Sequence, residues 1–448
     1  MYQKWLTSDI VKNKTISFSE FKRKENVILI TNIIMEKDYE KAKELIEKYG
    51  QKHLLNGYDK LPDEKKKRLI DQILSIDFEQ INTLYQNIDK KIDDSENKIE
   101  PIEGIIKDEL DPEEFKRYTN IGLKEIQEGK LAAVTMAGGQ GTRLGHNGPK
   151  GTYDLGLESH KSIFEILCDV LKKAKEDYGV YVPWYIMTSN ENNQATVDFF
   201  EKNNYFNYPK EKVNFFKQGE LPMIDTNGKI LIGEDGLIKL AADGHGGIFY
   251  SMRRDGVIED MKKKGIEWVF IGGVDNVLVN MVDPLIVGIS IDKNVKALGK
   301  SLVKAYPKEK VGVFCKKNGK PSVIEYSEIS DEMAEAVDEK GNLVYGESHI
   351  LVNMFSLSAI EEMSKDKLPY HVAFKKAKYI DENGNLVTSD KPNAYKFEAF
   401  IFDAFEYLND MAILRVKREE EFAPVKNAEG VDSPETAREL YKKFHKIG

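Results

Sequence analysis

The sequence predicts an α/β protein built on a doubly wound, mostly parallel sheet. Three observations carry this reading. Apolar runs the length of one buried strand recur at 131–137, 183–188, 213–217 and 267–273. Amphipathic helical stretches at 115–129, 161–178 and 191–202 alternate with them. The first strand empties into a glycine-rich loop, and in such sheets ligands sit beyond the carboxyl ends of the strands.

The elements follow in order. Residues 1–110 are rich in lysine and glutamate, with amphipathic helices expected at 35–49 and 78–88 and a linker at 95–101. No catalytic constellation stands there, so a helical N-terminal region is expected. Residues 111–405 are expected to form the catalytic domain and 406–448 a short C-terminal segment. Within the middle part, 295–305 and 311–327 read as further strands. The latter is a hairpin turning at Asn318-Gly319, a dipeptide suited to positive φ at both positions. Residues 349–356 form another strand, interrupted by the single polar residue Asn353. Phe397, Phe400, Ile401 and Phe405 read as core.

Composition excludes several classes. The 448 residues are 41% hydrophobic, which is globular composition with enough length for two or three domains. A net charge of −9 argues against a nucleic-acid partner. Cys168 and Cys315 have no CxxC partner, so neither a disulfide framework nor a thiolate metal site is expected. The first residues lack an apolar signal-peptide core, and the most apolar window, 268–291, is broken by Asp275, Asn276, Asn280, Asp283 and Pro284. A cytoplasmic protein without a membrane partner is expected.

The chemistry concentrates at 131–151, LAAVTMAGGQGTRLGHNGPKG. Glycines let backbone N–H groups approach a phosphate, Arg143 adds a planar cation, and Lys150 adds a point charge. The dinucleotide fingerprint fails because Leu144 stands where its third glycine belongs. A Walker A reading of Gly299-Lys300-Ser301 fails because Asn294 stands where its first glycine belongs. Gln218, at the end of a strand, can donate and accept together, as the edge of a uracil ring requires. The backbone of Gly246-Gly247 is open enough to wrap a ribose or base. Asp275, at the tip of another strand, is placed to hold Mg²⁺, which needs few protein oxygens beside substrate phosphate and water.

The run Gly-Gly-x-Gly-Thr-Arg-Leu followed by Pro149-Lys150 resembles the signature of the eukaryotic-type UDP-sugar pyrophosphorylases, closest to the UDP-N-acetylhexosamine branch. Gln218-Gly219-x-Leu221-Pro222, Asp243-Gly244-x-Gly246-Gly247, Val274-Asp275-Asn276, the Glu325-Tyr326-Ser327-Glu328 block and Lys396-x-Glu398 extend the resemblance over about 132–438. It implies a nucleotidyltransferase (glycosyltransferase A-like) Rossmann-type mixed sheet. The implied reaction is that of a uridylyltransferase, making UDP-sugar and pyrophosphate from UTP and a sugar 1-phosphate with Mg²⁺. N-acetylglucosamine 1-phosphate leads; glucose 1-phosphate or a broad sugar range is the alternative, and a non-catalytic nucleotide-sugar binding protein is the rival class. The resemblance implies that Arg143, Lys150 and Lys396 are catalytic. It places the nucleotide on Ala137, Gly138, Gly139, Gly141, Thr142, Gln218 and Gly246. The sugar falls to Gly247, Glu325, Tyr326 and Asn353, and the metal to Asp275. His245 stands where the acetylhexosamine enzymes usually have asparagine, so it is a doubtful ligand, and His371 reads as structural. Glu325 and Glu328 as an acid–base couple is the rival reading of that block. A monomer or weak homo-oligomer is expected.

Overall fold

A computed structural model describes residues 24–88 and 97–447, with residues 24–33 as backbone only. The chain divides into two compact units. The first comprises Met1–Lys91, Leu221–Ala241 and Val372–Lys396; the second comprises Ile92–Glu220, Ala242–His371 and Phe397–Gly448.

The first unit holds helices Lys24–Lys48, Asp63–Ser75 and Phe78–Gln86. Leu69, Ile70 and Ile73 bury one face of the middle helix, and Asp77 caps the next by accepting from Gln80 N–H. These helices pack on the unit's inserted segments. Gln51 Nε2 donates to Gly228 O at 2.9 Å, and Ile230 N–H donates to Gln51 Oε1 at 3.0 Å. The helices expected at 35–49 and 78–88 are therefore present. The N-terminal residues examined for a signal peptide lie outside the described residues.

The second unit is organised on an eleven-stranded mixed sheet. Its strands are β1 Ile99–Pro101, β2 Ile105–Ile106, β3 Leu131–Met136, β4 Trp184–Thr188, β5 Val213–Lys217 and β6 Trp268–Gly273. They continue with β7 Ala297–Val303, β8 Val313–Lys317, β9 Lys320–Ile324, β10 Glu347–Ser356 and β11 Ala412–Arg415. The order along the main path is β2-β11-β7-β10-β6-β3-β4-β5, with β1, β8 and β9 off it. From β6 to β5 every pairing is parallel, and β10 is antiparallel to both its neighbours.

Alternation along β3 explains why both faces are covered. Leu131 and Ala133 point into one cluster with Phe164, Leu167 and Leu171 of helix Ile163–Tyr178. Ala132, Val134 and Met136 point into another with Phe249, Met252 and Met261 of helices Ile248–Arg254 and Val257–Lys263. A strand buried on both faces reads as a continuous apolar run, and each fully buried large side chain contributes roughly 1.5–3 kcal/mol.

One expectation changes. Part of the expected linker at 95–101 is a strand: Ile99 pairs with Lys317 and Pro101 with Cys315. Within residues 406–448, β11 runs parallel to β7 in the sheet and helix Pro434–His445 buries Ala437 and Tyr441. The apolar window 268–291 supplies β6 and helix Pro284–Asp292. Among the described residues no helix is long and apolar enough to cross a membrane.

Candidate functional site

The end of β3 sets where the glycine loop begins. Met136 lies beside Met187 of β4 and Gly273 of β6. The ladder runs one step further: Ala137 N–H donates to Met187 O at 2.7 Å, and Val274 N–H donates to Met136 O at 3.0 Å. The loop and Asp275 thus leave the sheet together, at the carboxyl edge of adjacent parallel strands.

The loop closes on itself. Gly141 N–H donates to Gly148 O at 2.8 Å and Lys150 N–H to Gly139 O at 3.0 Å. Thr142–Leu144 forms a 3₁₀ turn ended by Gly145 at φ 70°, a conformation that favours glycine. Among the described residues, the N–H groups of Gly138, Gly139 and Gln140 have no acceptor. Arg143 is exposed on the turn and Lys150 is half-buried; neither joins an ion pair or side-chain hydrogen bond among the described residues. Unpaired donors and two cations in one loop suit an anion.

Behind the loop stands Asn192, which has no exposed surface. Its Nδ2 donates to Ala137 O at 2.9 Å and Gly139 O at 3.3 Å, while its Oδ1 accepts from Ser189 N–H at 2.8 Å. Sequence reasoning passed over it, because it sits in the polar run Ser189–Asn193 and nothing marks one member of that run.

Gln218 follows β5. Its N–H donates to Thr188 O at 2.7 Å, its Nε2 donates to Gly244 O at 2.9 Å, and its Oε1 occupies the space a Cβ on Gly138 would need. Gln218 and the loop are therefore in contact. Asp243 is also buried and was not singled out. Its carboxylate fills the space beside Gly219 and lies 2.6 Å from a Cβ built on Gly247, and its Oδ1 has no partner among the described residues. Burial pushes this carboxyl up to about 6. Gly246 N–H donates to Ala399 O at 2.8 Å, so this glycine's amide is already engaged within the fold.

Asp275 is half-buried. Its backbone carbonyl accepts from Val425 N–H at 2.9 Å, and its carboxylate takes no hydrogen bond or ion pair among the described residues. The carboxylate Oδ1 lies 2.6 Å from a Cβ built on Gly273, so a side chain there would have to displace the carboxylate. No cluster of three or more histidine, cysteine or acidic ligands occurs among the described residues. A lone free carboxylate fits a magnesium ion that takes its other oxygens from phosphate and water, and does not fit a cage built by protein alone.

On the far side of β6 stands Asn353, buried in β10 opposite Ile271 and Gly299. His349 Nε2 donates to its Oδ1 at 3.3 Å, and its Nδ2 has no partner among the described residues. Burial lowers His349 to about 3, so the imidazole is neutral. Glu325, just past β9, is half-buried, which raises its carboxyl. It lies 3.3 Å from a Cβ built on Gly312, whose carbonyl accepts from His349 N–H. Tyr326 is half-exposed. Lys396 is half-buried on strand Ala394–Glu398, in a three-stranded sheet with His371–Lys375 and Ile224–Asp225, and closes the last segment of the first unit.

The histidines and Lys300 have structural engagements. Ile401 N–H donates to His245 Nδ1 at 3.1 Å, and burial lowers His245 to about 4, so it is a neutral packing group. His371 Nε2 bonds Asp403 at 3.0 Å, and this partner raises its pKa. Lys300, of the rejected Walker-like triplet, is fully buried on β7. Its Nζ lies 2.7 Å from Asp283 and 2.8 Å from Glu421.

Amides and cations gathered beyond parallel strands bind phosphates, so fold and loop define a nucleotide-handling α/β protein. The chain belongs to the UTP–glucose-1-phosphate uridylyltransferase family, whose sequence profile matches residues 77–432, and it is an enzyme of that class. It is 38% identical to UDP-N-acetylglucosamine diphosphorylase 2 of Arabidopsis thaliana, over 90% of this chain and 83% of the plant protein. It is 36% identical to UDP-N-acetylglucosamine pyrophosphorylase of Saccharomyces cerevisiae, over 90% of this chain and 89% of the yeast protein. Among solved structures, it resembles the uridine diphosphate N-acetylglucosamine pyrophosphorylase of Trypanosoma brucei, crystallised with an inhibitor. That match has a TM-score of 0.77 and 30% identity, over 90% of this chain and 84% of that one.

Proposed function

We propose that the protein transfers a uridylyl group from UTP to N-acetylglucosamine 1-phosphate, giving UDP-N-acetylglucosamine and pyrophosphate. The observation that carries this reading is the β3 loop, in which three amides lack an acceptor and two cations lack a partner among the described residues, leaving the sheet next to the strand that leads to Asp275. Relatives named for N-acetylglucosamine support the sugar.

In this reading the sugar phosphate oxygen attacks the α-phosphorus in line and pyrophosphate leaves. The nucleophile is already an anion, so no protein base is needed and catalysis is positioning plus charge neutralisation. The loop residues Ala137, Gly138, Gly139, Gly141 and Thr142 line the nucleotide, which is bound by the amides of Gly138 and Gly139 because those of Ala137 and Gly141 are engaged by Met187 O and Gly148 O, with Gln218 reading the base and Gly246 lining its site. Arg143 neutralises the departing pyrophosphate, and Lys150 and Lys396 the attacking and α-phosphates. Gly247, Glu325, Tyr326 and Asn353 hold the sugar, with the free Asn353 Nδ2 as a hydrogen-bond donor. Asp275 would hold Mg²⁺, which supplies further charge neutralisation between the phosphates. A cytoplasmic location and a monomer or weak homo-oligomer complete the proposal.

The test is turnover with UTP and a panel of sugar 1-phosphates. The expected result is that kcat/KM for N-acetylglucosamine 1-phosphate exceeds that for glucose 1-phosphate by at least about tenfold. The family's description names glucose 1-phosphate, and a preference for it would keep the chemistry and overturn the sugar assignment.

A further inference from the structure

The glycine loop needs its N–H groups outward, yet glycine has little preference of its own for one peptide orientation over another. Something in the fold must hold the carbonyls inward. Because a trans peptide is planar, a carbonyl turned one way forces the N–H of the next residue to point the other way. The carbonyls of Ala137 and Gly139 precede the N–H groups of Gly138 and Gln140. Both carbonyls accept from one group, Asn192 Nδ2, at 2.9 and 3.3 Å. Both following N–H groups lack an acceptor among the described residues.

Asn192 is itself fixed on every side. Its Oδ1 accepts from Ser189 N–H, so the amide can present only its NH₂ end to the loop. Its backbone N–H donates to Ser189 Oγ at 3.2 Å, and its carbonyl accepts from Thr196 Oγ1 at 2.9 Å at the start of helix Asn193–Lys202. The side chain is wholly buried, so the Asn192 amide itself is shielded from water, and the Gly139 carbonyl is further held by Lys150 N–H at 3.0 Å. A short amide locked at the end of β4 thus sets two peptide planes at the end of β3.

We propose that Asn192 is the positioning residue of the nucleotide loop, orienting Gly138 and Gln140 so that their amides face UTP. It touches no substrate and acts only through the loop. The inference rests on the uridylyltransferase reading given above.

The test uses Asn192→Ala, which removes the amide, and Asn192→Asp, which keeps its shape but offers oxygen to two carbonyls. The unfolding midpoint of each is measured beside steady-state kinetics in which UTP and N-acetylglucosamine 1-phosphate are varied separately. The expected result is a rise in KM for UTP of about tenfold to a hundredfold, with KM for the sugar phosphate moving less than about twofold. A merely structural loss would lower active enzyme without splitting the two KM values. If either folded variant keeps the wild-type KM for UTP, or if both KM values rise together, the inference is overturned. An inert wild-type enzyme would instead overturn the function on which the inference rests.

Discussion

Gln218 Oε1 stands where a Cβ on Gly138 would have to go, and Gln218 cannot swing away without breaking its hydrogen bond to the Gly244 carbonyl. The loop and the residue assigned to the base are therefore fitted to each other. Gly138→Ala is expected to lower kcat/KM for UTP by about tenfold to a hundredfold, because Gln218 must be displaced. Adding Gln218→Ala should cost little more than either change alone. Additive losses in a double-mutant cycle would show that the two residues act separately.

Arg143 is exposed and makes no ion pair among the described residues, so its removal costs the fold nothing that the structure displays. Arg143→Ala is expected to unfold at the wild-type temperature while kcat falls by about a hundredfold to a thousandfold, the scale of losing one transition-state charge partner. Arg143→Lys should recover only part of this, since a point charge replaces a planar fork.

Asp243 carries a pH signature. Burial raises its carboxyl to about 6, above the usual range for aspartate in an unfolded chain, about 4. The folded state therefore holds its proton over a window where the unfolded state has released it. This contribution is fully present below about pH 4 and is lost as pH rises through about 6. Asp243→Asn should lack that loss. The stability difference between wild type and variant, followed by chemical denaturation from pH 4 to 7, should shift by about 2 kcal/mol in favour of the variant. A pH-independent difference would contradict the burial argument.

Lys300 is wholly buried between Asp283 and Glu421. Lys300→Met would leave two buried carboxylates facing each other with no cation between them and only Lys107, 3.8 Å from Glu421, nearby, and is expected to destabilise by about 3–5 kcal/mol. Replacing all three members with apolar residues should restore much of that loss, because the desolvation cost of the charges disappears with them. Unfolding midpoints of the single and triple variants check both statements.

How much of this was legible in the sequence depended on whether the signal was local. The strand Leu131–Met136 and its loop were readable because a strand buried on both faces is almost continuously apolar, here with Thr135 as the one polar residue, and the break into glycine is abrupt. The hairpin turn was readable because Asn318 and Gly319 both adopt positive φ, 53° and 81°, which that dipeptide tolerates. Other features depend on partners distant in the chain. Ile99–Pro101 becomes a strand only because Val313–Lys317 offers it an edge. Helix Pro284–Asp292 is apolar all round, so it carries no helical period to detect, and helices Ile248–Arg254 and Val257–Lys263 are only seven residues each. Lys300 looks like part of a phosphate motif until Glu421, 121 residues on, closes over it. Asn192 is one polar residue among several, and only the folded loop in front of it gives it a task.

The most direct measurement of the central claim is pyrophosphate release from UTP and N-acetylglucosamine 1-phosphate by the wild-type enzyme and Asp275→Asn, titrated with Mg²⁺. Release by the wild type that saturates with Mg²⁺ is expected. In the variant, release should fall by about a hundredfold or more, with the unfolding midpoint unchanged. Equal release by both proteins at all Mg²⁺ concentrations would contradict the placement of the metal at the end of β6. No release by the wild type would contradict the uridylyltransferase account itself.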